Sequence, residues 1–357
     1  MARRNRAQTQ EHNRAKVLAA AREEFLERGF RAAKVDTIAA RAELTRGAVY
    51  SNFPGKRALY FAVLAEAVER RADRPPRVGH TVAAALGAFA RAWVARLPLA
   101  TDGPEAEARL ARDLLPEVQA DELTRRPFAQ LLALDALLLG LALEHLRGQF
   151  VATPARLVRM AEVVLTTLHG AGQLAAAAPG FVDEFDVVTA CSALAELEPD
   201  DVWDPPHVEY VPTALPTDEQ WSPPPGDDAV RRLPARLVSD GVVAVLGLHR
   251  VRAVEEAVRA APSDATVTVA MVTGEPAELA HLARLVVADL CACLREAFPS
   301  AAWPRLQVVF DQSAALATAA GVPAVSDETE VAVRIEGQRI VARAEGRGAC
   351  HAAATAR

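Results

Sequence analysis

The chain has 357 residues, 51% of them hydrophobic and 24% charged, with four cysteines and a formal net charge of −6. It is long enough for two or three domains, and its apolar content is that of an ordinary soluble protein. Four cysteines in a chain of this length exclude a disulfide framework.

Charge is unevenly spread. Residues 1–71 carry 15 Lys/Arg against 8 Asp/Glu, whereas the whole chain carries 40 against 46, so a basic head precedes an acidic remainder. Such a head suits a phosphate backbone. The N-terminus, MARRNRAQTQEHNR, has no apolar core after its basic residues and does not read as a signal peptide. The longest apolar run, Leu131 to Leu143, is interrupted by Asp135, and a cytoplasmic protein without a membrane span is expected.

From Gly29 to Leu59 the sequence reads as two short helices joined by a tight turn. Val35, Ile38, Ala39 and Ala42 fall on one helical face, and Thr45 follows as a capping residue for a second helix that presents Arg46, Gly47, Ala48 and Tyr50. That is the layout of a DNA-reading helix-turn-helix. With its context, IAARA before TRGAVYSNFPGK and a preceding helix that ends in FLERGF, the segment resembles the N-terminal domain of the TetR/AcrR family of transcriptional regulators. The resemblance implies that Ile38, Ala39 and Ala42 pack the motif, and that Tyr50 and Phe53 close the recognition helix. It also implies that Lys56 opens the next helix near a phosphate. Two positions depart from the usual pattern, with Lys34 where a capping Thr or Ser is common and Glu43 in place of the turn glycine. The DNA-binding set expected is Thr45, Arg46, Gly47, Ala48 and Tyr50 on the bases, with Thr37, Asn52 and Lys56 on the phosphates.

Residues 77–198 read as helices broken at prolines and a Asp102-Gly103-Pro104 turn, matching the helical ligand-sensing and dimerisation domain that the resemblance implies. Helices over about 128–148 and 155–178 are expected to pair with their counterparts in a homodimer. Polar residues within these apolar helices mark a cavity for a hydrophobic or amphipathic small-molecule effector: Asp135, His145, His169 and Gln173, with Trp93 as an aromatic wall and Glu144 and Thr166 as further candidates. Between Pro199 and Pro225 the composition turns proline-rich, which predicts a linker over 199–226, pinned by Trp203, Tyr210 and Trp221.

Beyond it, strands and helices alternate and end in a hairpin around Glu336-Gly337, so 227–350 reads as an α/β domain with a mixed sheet. The order, with a DxxxxLAxxxGV stretch from Asp311 to Val322, resembles the thioredoxin-like fold and its peroxiredoxin-related branch. Where that fold holds its reactive cysteine this chain has Leu248-His249-Arg250-Val251, and Ser326-Asp327-Glu328 stands where the facing proline belongs. Cys291 and Cys293 point to different helix faces, and Cys191 and Cys350 are isolated, so all four read as apolar filler. No phosphate loop, zinc spacing or nucleophile elbow is present.

The whole reads as a multidomain chain: an all-α helix-turn-helix head over 1–71, a helical sensing and dimerising domain over 77–198, and a non-catalytic thioredoxin-like accessory domain. The expected partners are an operator in double-stranded DNA, a small-molecule effector and a second copy, with no metal, cofactor or membrane. A redox-responsive regulator, and a regulator fused to a thioredoxin-like enzyme, are the alternatives.

Overall fold

The computed structural model describes residues 2–70, 75–97, 110–148, 156–197, 200–205 and 213–356. Helix α1 (Ala2–Ala32) is broken at Gly29, whose φ of 72° few other residues adopt, and the chain turns there into the helix-turn-helix. Helices α2 (Val35–Arg41), α3 (Arg46–Tyr50) and α4 (Lys56–Arg70) follow. Ile38, Ala39, Ala42, Val49 and Phe53 are buried between them. Glu43 takes the left-handed turn at φ 57°, at a cost of about 1 kcal/mol for a residue with a Cβ. The turn is closed by Leu44 N–H on the Ala39 carbonyl at 3.0 Å, which satisfies one of the carbonyls that the end of α2 would leave open.

The helical body comprises α5 (Val82–Val94), α6 (Leu114–Gln119), α7 (Glu122–Gly148), α8 (Val158–Ala177) and α9 (Glu184–Ala193). Helix α7 is long and apolar enough to cross a membrane by length and composition. Here it is the central strut instead, with Leu131, Leu134, Leu138, Leu139 and Leu143 wholly buried within one chain. Gly140 lets α8 approach, because a Cβ there would lie 2.9 Å from the Cα of Val158.

The C-terminal part is a six-stranded mixed sheet, in the order β1-β8-β7-β4-β5-β6. Its strands are β1 (Leu215–Gln220), β4 (Gly241–Gly247), β5 (Thr266–Val272), β6 (Gln307–Phe310), β7 (Glu330–Glu336) and β8 (Arg339–Glu345). A two-stranded β2 (Asp227–Asp228) and β3 (Leu233–Pro234) ribbon stands beside it. Strands β4, β5 and β6 are parallel, while β7 runs against β4 and β8 against β7. Every residue of β4 is buried, as befits a central strand covered on both faces. Val242, Ala244 and Leu246 face helices α10 (Val254–Ala260), α11 (Pro276–Ala297) and α13 (Ala349–Thr355), whereas Val243 and Val245 face Trp221 and the short α12 (Ala315–Ala319).

Two sequence expectations change. The 199–226 stretch is not a linker throughout: Leu215 to Gln220 is an edge strand paired with β8, and Trp221 is buried with its Nε1–H on the Leu237 carbonyl at 2.7 Å. Asp200 and Asp201 hold Arg159 and Arg156, Trp203 is half-buried, and Tyr210 lies outside the described residues. The accessory part is also not a separate body. Its helix α11 packs along α4, α5 and α7, and one continuous apolar core runs from Phe25 and Tyr60 through Leu134 to Leu290 and Leu246.

Candidate nucleic-acid interface and ligand cavity

The motif core holds α3 so that its other side faces outward. Thr45, Arg46, Gly47 and Tyr50 are exposed, and Ala48 and Asn52 are half-buried beside them. Thr45 caps the helix, its Oγ1 accepting from the Ala48 N–H at 3.2 Å, so it serves the fold as well as the surface. The Arg46 guanidinium lies 3.4 Å from Asp36 and 5.5 Å from the centre of the Tyr50 ring. Both contacts are solvent-exposed and cheap to exchange for a base edge. Asn52 donates from Nδ2 to the Ala48 carbonyl at 2.8 Å, and Thr37 is half-buried on α2. Lys56 departs from its expected role on a phosphate. Its Nζ donates to the carbonyls of Phe30, Ala33 and Arg31 at 2.8, 3.2 and 3.3 Å and sits 4.4 Å from the centre of the Phe30 ring. A cation at the carbonyl end of α1 is favoured by the helix dipole, so this ammonium fastens the head together.

In the helical body a cavity of about 180 Å³ opens between α4, α5, α7, α8 and α11. Trp93, Asp135, His169 and Gln173 all line it, whereas His145 does not and instead places Nδ1 3.3 Å from the Trp303 carbonyl. Leu64, Phe128, Leu168 and Leu285 make its apolar wall. Asp135 is 2% exposed, and its Oδ1 has no hydrogen-bond partner among the described residues. Burial first, and Asp289 second, push its carboxyl well above the usual carboxylate range. The His169 ring stands 4.9 Å from that of Trp93. Its Nδ1 donates to the Leu165 carbonyl at 2.9 Å, and burial lowers its pKa, leaving the other ring nitrogen an acceptor. Across the cavity, Arg96 Nη1 donates to Asp289 Oδ1 at 2.7 Å and to the Asp289 carbonyl at 2.9 Å.

Residues 17–63 match the family model described as bacterial regulatory proteins, tetR family. The head is a tetR-type DNA-binding domain. Similar solved structures include a TetR transcriptional regulator from Rhodococcus sp. RHA1, at 17% identity over 53% of this chain and 95% of that one, with a TM-score of 0.33. A TetR-family regulator from Mesorhizobium loti MAFF303099 is 15% identical over 52% and 95% of the two chains, with a TM-score of 0.26. The fatty acid degradation regulator FadR from Bacillus halodurans is 18% identical over 51% and 96%, with a TM-score of 0.26. No curated protein matches the chain.

The tetR-type head is tied to the α/β part through α11. Arg14 Nη2 donates to His281 Nε2 at 2.9 Å, and the same guanidinium lies 4.6 Å from the centre of the Phe53 ring. Arg284 grips Glu69 of α4 with two bonds of 2.9 and 2.6 Å. Past α4, the N–H groups of Arg77 and Gly79 donate to the carbonyls of Glu296 and Ala297, each at 2.9 Å, so the entry to the body is pinned to the far end of the same helix.

At the start of the helical turn after β4, His249 faces Glu328 at 3.2 Å and Arg250 pairs with Glu330. Arg126 of α7 reaches Glu328 at 2.7 Å, and Gln130 accepts from the Arg252 N–H at 3.0 Å. This end of the sheet is therefore a dock for the body. The four cysteines are free and buried; burial pushes the Cys191 thiol up to about 11 and raises those of Cys291 and Cys350. Among the described residues no group of His, Cys, Asp or Glu is placed to hold a metal ion.

Sequence reasoning missed Arg96, Leu285, Val286 and Asp289 in the cavity. The last three lie on a helix assigned to another domain, and the one signal available was that Asp135 has no cation within a turn of it on its own helix, where Leu131, Leu132, Leu138 and Leu139 stand.

Proposed function

We propose that the chain is a cytoplasmic transcriptional regulator, a repressor, that binds a pseudo-palindromic operator as a homodimer under control of a small effector held in the α4–α11 cavity. The observation that carries this reading is α3, which is capped by Thr45, anchored by buried Val49, and turns Arg46, Gly47 and Tyr50 to solvent on a basic head. Such a helix fits the major groove, and two heads one turn apart suit a two-fold operator. Dimerisation is supported by an exposed seam on α8, with Val163, Thr166, Gly170, Leu174 and Ala177 at helical spacing, continued by Phe181 and Phe185, which are 72% and 74% exposed. Apolar side chains so open on one face call for a partner.

The sheet order β8-β7-β4-β5-β6, with β7 alone antiparallel to β4, supports a thioredoxin-like reading of the C-terminal part. We read it as non-catalytic, because its would-be reactive position is occupied by His249, which faces Glu328, and by Arg250, which pairs with Glu330, and the four cysteines are buried. The same burial weighs against a redox switch.

The test is a genome-wide map of bound DNA followed by binding assays with Arg46→Ala. The wild type should select one pseudo-palindromic motif, and the variant should lose discrimination at one base pair per half-site by about 1–3 kcal/mol. Unchanged affinity and unchanged preference in the variant would defeat the reading.

A further inference from the structure

We propose that the cavity is a site for a small apolar ligand bearing a protonated amine, with Asp135 as its anchor and helix α11 of the C-terminal part as one wall. This rests on the effector reading above and gives its ligand a chemical class.

Three observations converge on an ammonium head group. Asp135 is a carboxyl group 2% exposed, lining the cavity, with one oxygen that has no hydrogen-bond partner among the described residues. A buried acceptor left open is costly, and a donor from a ligand removes that cost. His169 adds a second acceptor, because its Nδ1–H is spent on the Leu165 carbonyl. Trp93, whose ring is tilted against that of His169, adds an aromatic face of the kind on which a cation rests.

The charges around the cavity exclude the opposite choice. Asp289 faces Asp135 from α11, and neither carboxyl group offers an anion a positive partner. The cation that could receive one, Arg96, is already committed to the side chain and backbone of Asp289. Arg112 lines the rim and is exposed to water, where its charge is screened. A neutral ligand would satisfy Asp135 only as a proton-bearing acid, whereas an ammonium restores the missing counter-charge. The apolar wall of Phe128, Leu168 and Leu285 and the volume of about 180 Å³ limit the rest of the ligand to roughly one ring or a short alkyl chain.

The experiment uses three probes of one shape on the full chain: 2-phenylethylamine, 2-phenylethanol and phenylacetate, with binding read by calorimetry at neutral pH. The amine should bind at least about tenfold tighter than the alcohol, as a charge-assisted hydrogen bond demands, and phenylacetate should not bind. In Asp135→Asn, which keeps the side-chain shape, amine and alcohol should become equal. Equal binding of all three by the wild type, a preference for phenylacetate, or an amine preference that survives in Asp135→Asn would each overturn the site; the first two need no variant to fold. Operator release is measured separately. Amine binding that leaves operator affinity unchanged supports the site and defeats effector control instead.

Discussion

Lys56 and His281 each carry a charge question that the fold answers from within. The Lys56 ammonium closes three carbonyls at the end of α1, so Lys56→Ala is expected to destabilise the head by about 1–3 kcal/mol in thermal melts. The salt slope of DNA binding should change by much less than the one unit that a lost phosphate contact would remove. His281 is buried against Arg14, and desolvation with the Arg14 and Arg284 charges pushes its pKa from 6.5 down to about 4. Between those values the unfolded chain binds a proton that the folded chain refuses. Stability therefore falls as pH is lowered through that window, by about 3 kcal/mol at its foot, and is fully present above about 6.5. Melting curves at pH 7.5 and 4.5 should show His281→Gln losing less stability over that interval than the wild type; equal losses would refute the assignment.

The helices show where periodicity informs and where it stops. The stretch from Leu131 to Leu143 is apolar around its circumference, which signals burial on every side but does not name what does the burying. A second copy was the expectation, and α8, α11 and α5 of the same chain are the answer. The partner α11 could not be foreseen, since it lies on the far side of a proline-rich segment and reads as an ordinary sheet-covering helix. Strands were plainer: 241–247 and 266–272 were legible as runs of valine and alanine bounded by turns, and β1 was not, because LPTDEQ is an exposed edge with no alternation of apolar residues. Of the cavity, Asp135, His169 and Gln173 were visible as polar interruptions of apolar helices and Trp93 as an aromatic wall, and the residues on α11 were hidden by the assignment to another domain. The reassigned helix carries its own test. Leu139→Asp should unfold the protein, because Leu139 is wholly buried within one chain, whereas Leu174→Asp with Phe185→Asp should leave the fold intact and yield a monomer with weakened operator binding in sedimentation and gel-shift assays. A fully dimeric double variant would refute the α8–α9 seam.

As a whole molecule the chain is two architectures around one core, and α11 belongs to both. It covers the sheet on one side and buries α4 and α7 on the other, so neither half presents a finished surface alone. A truncation after residue 226 should expose the apolar flank of α4, including residues around Leu64, and is expected to be less soluble than the full chain or to bind more of a hydrophobic dye. A soluble, dye-silent fragment with a cooperative melt would show that the shared core is dispensable. The same helix sets a schedule on the ribosome. Helix α4 emerges about two hundred residues before α11 does, and at about 5–20 residues per second the head then waits for some tens of seconds with its partner unmade. The head, although it is the first part of the chain to be synthesised, thus keeps the apolar flank of α4 without its partner until the C-terminal third has begun to emerge.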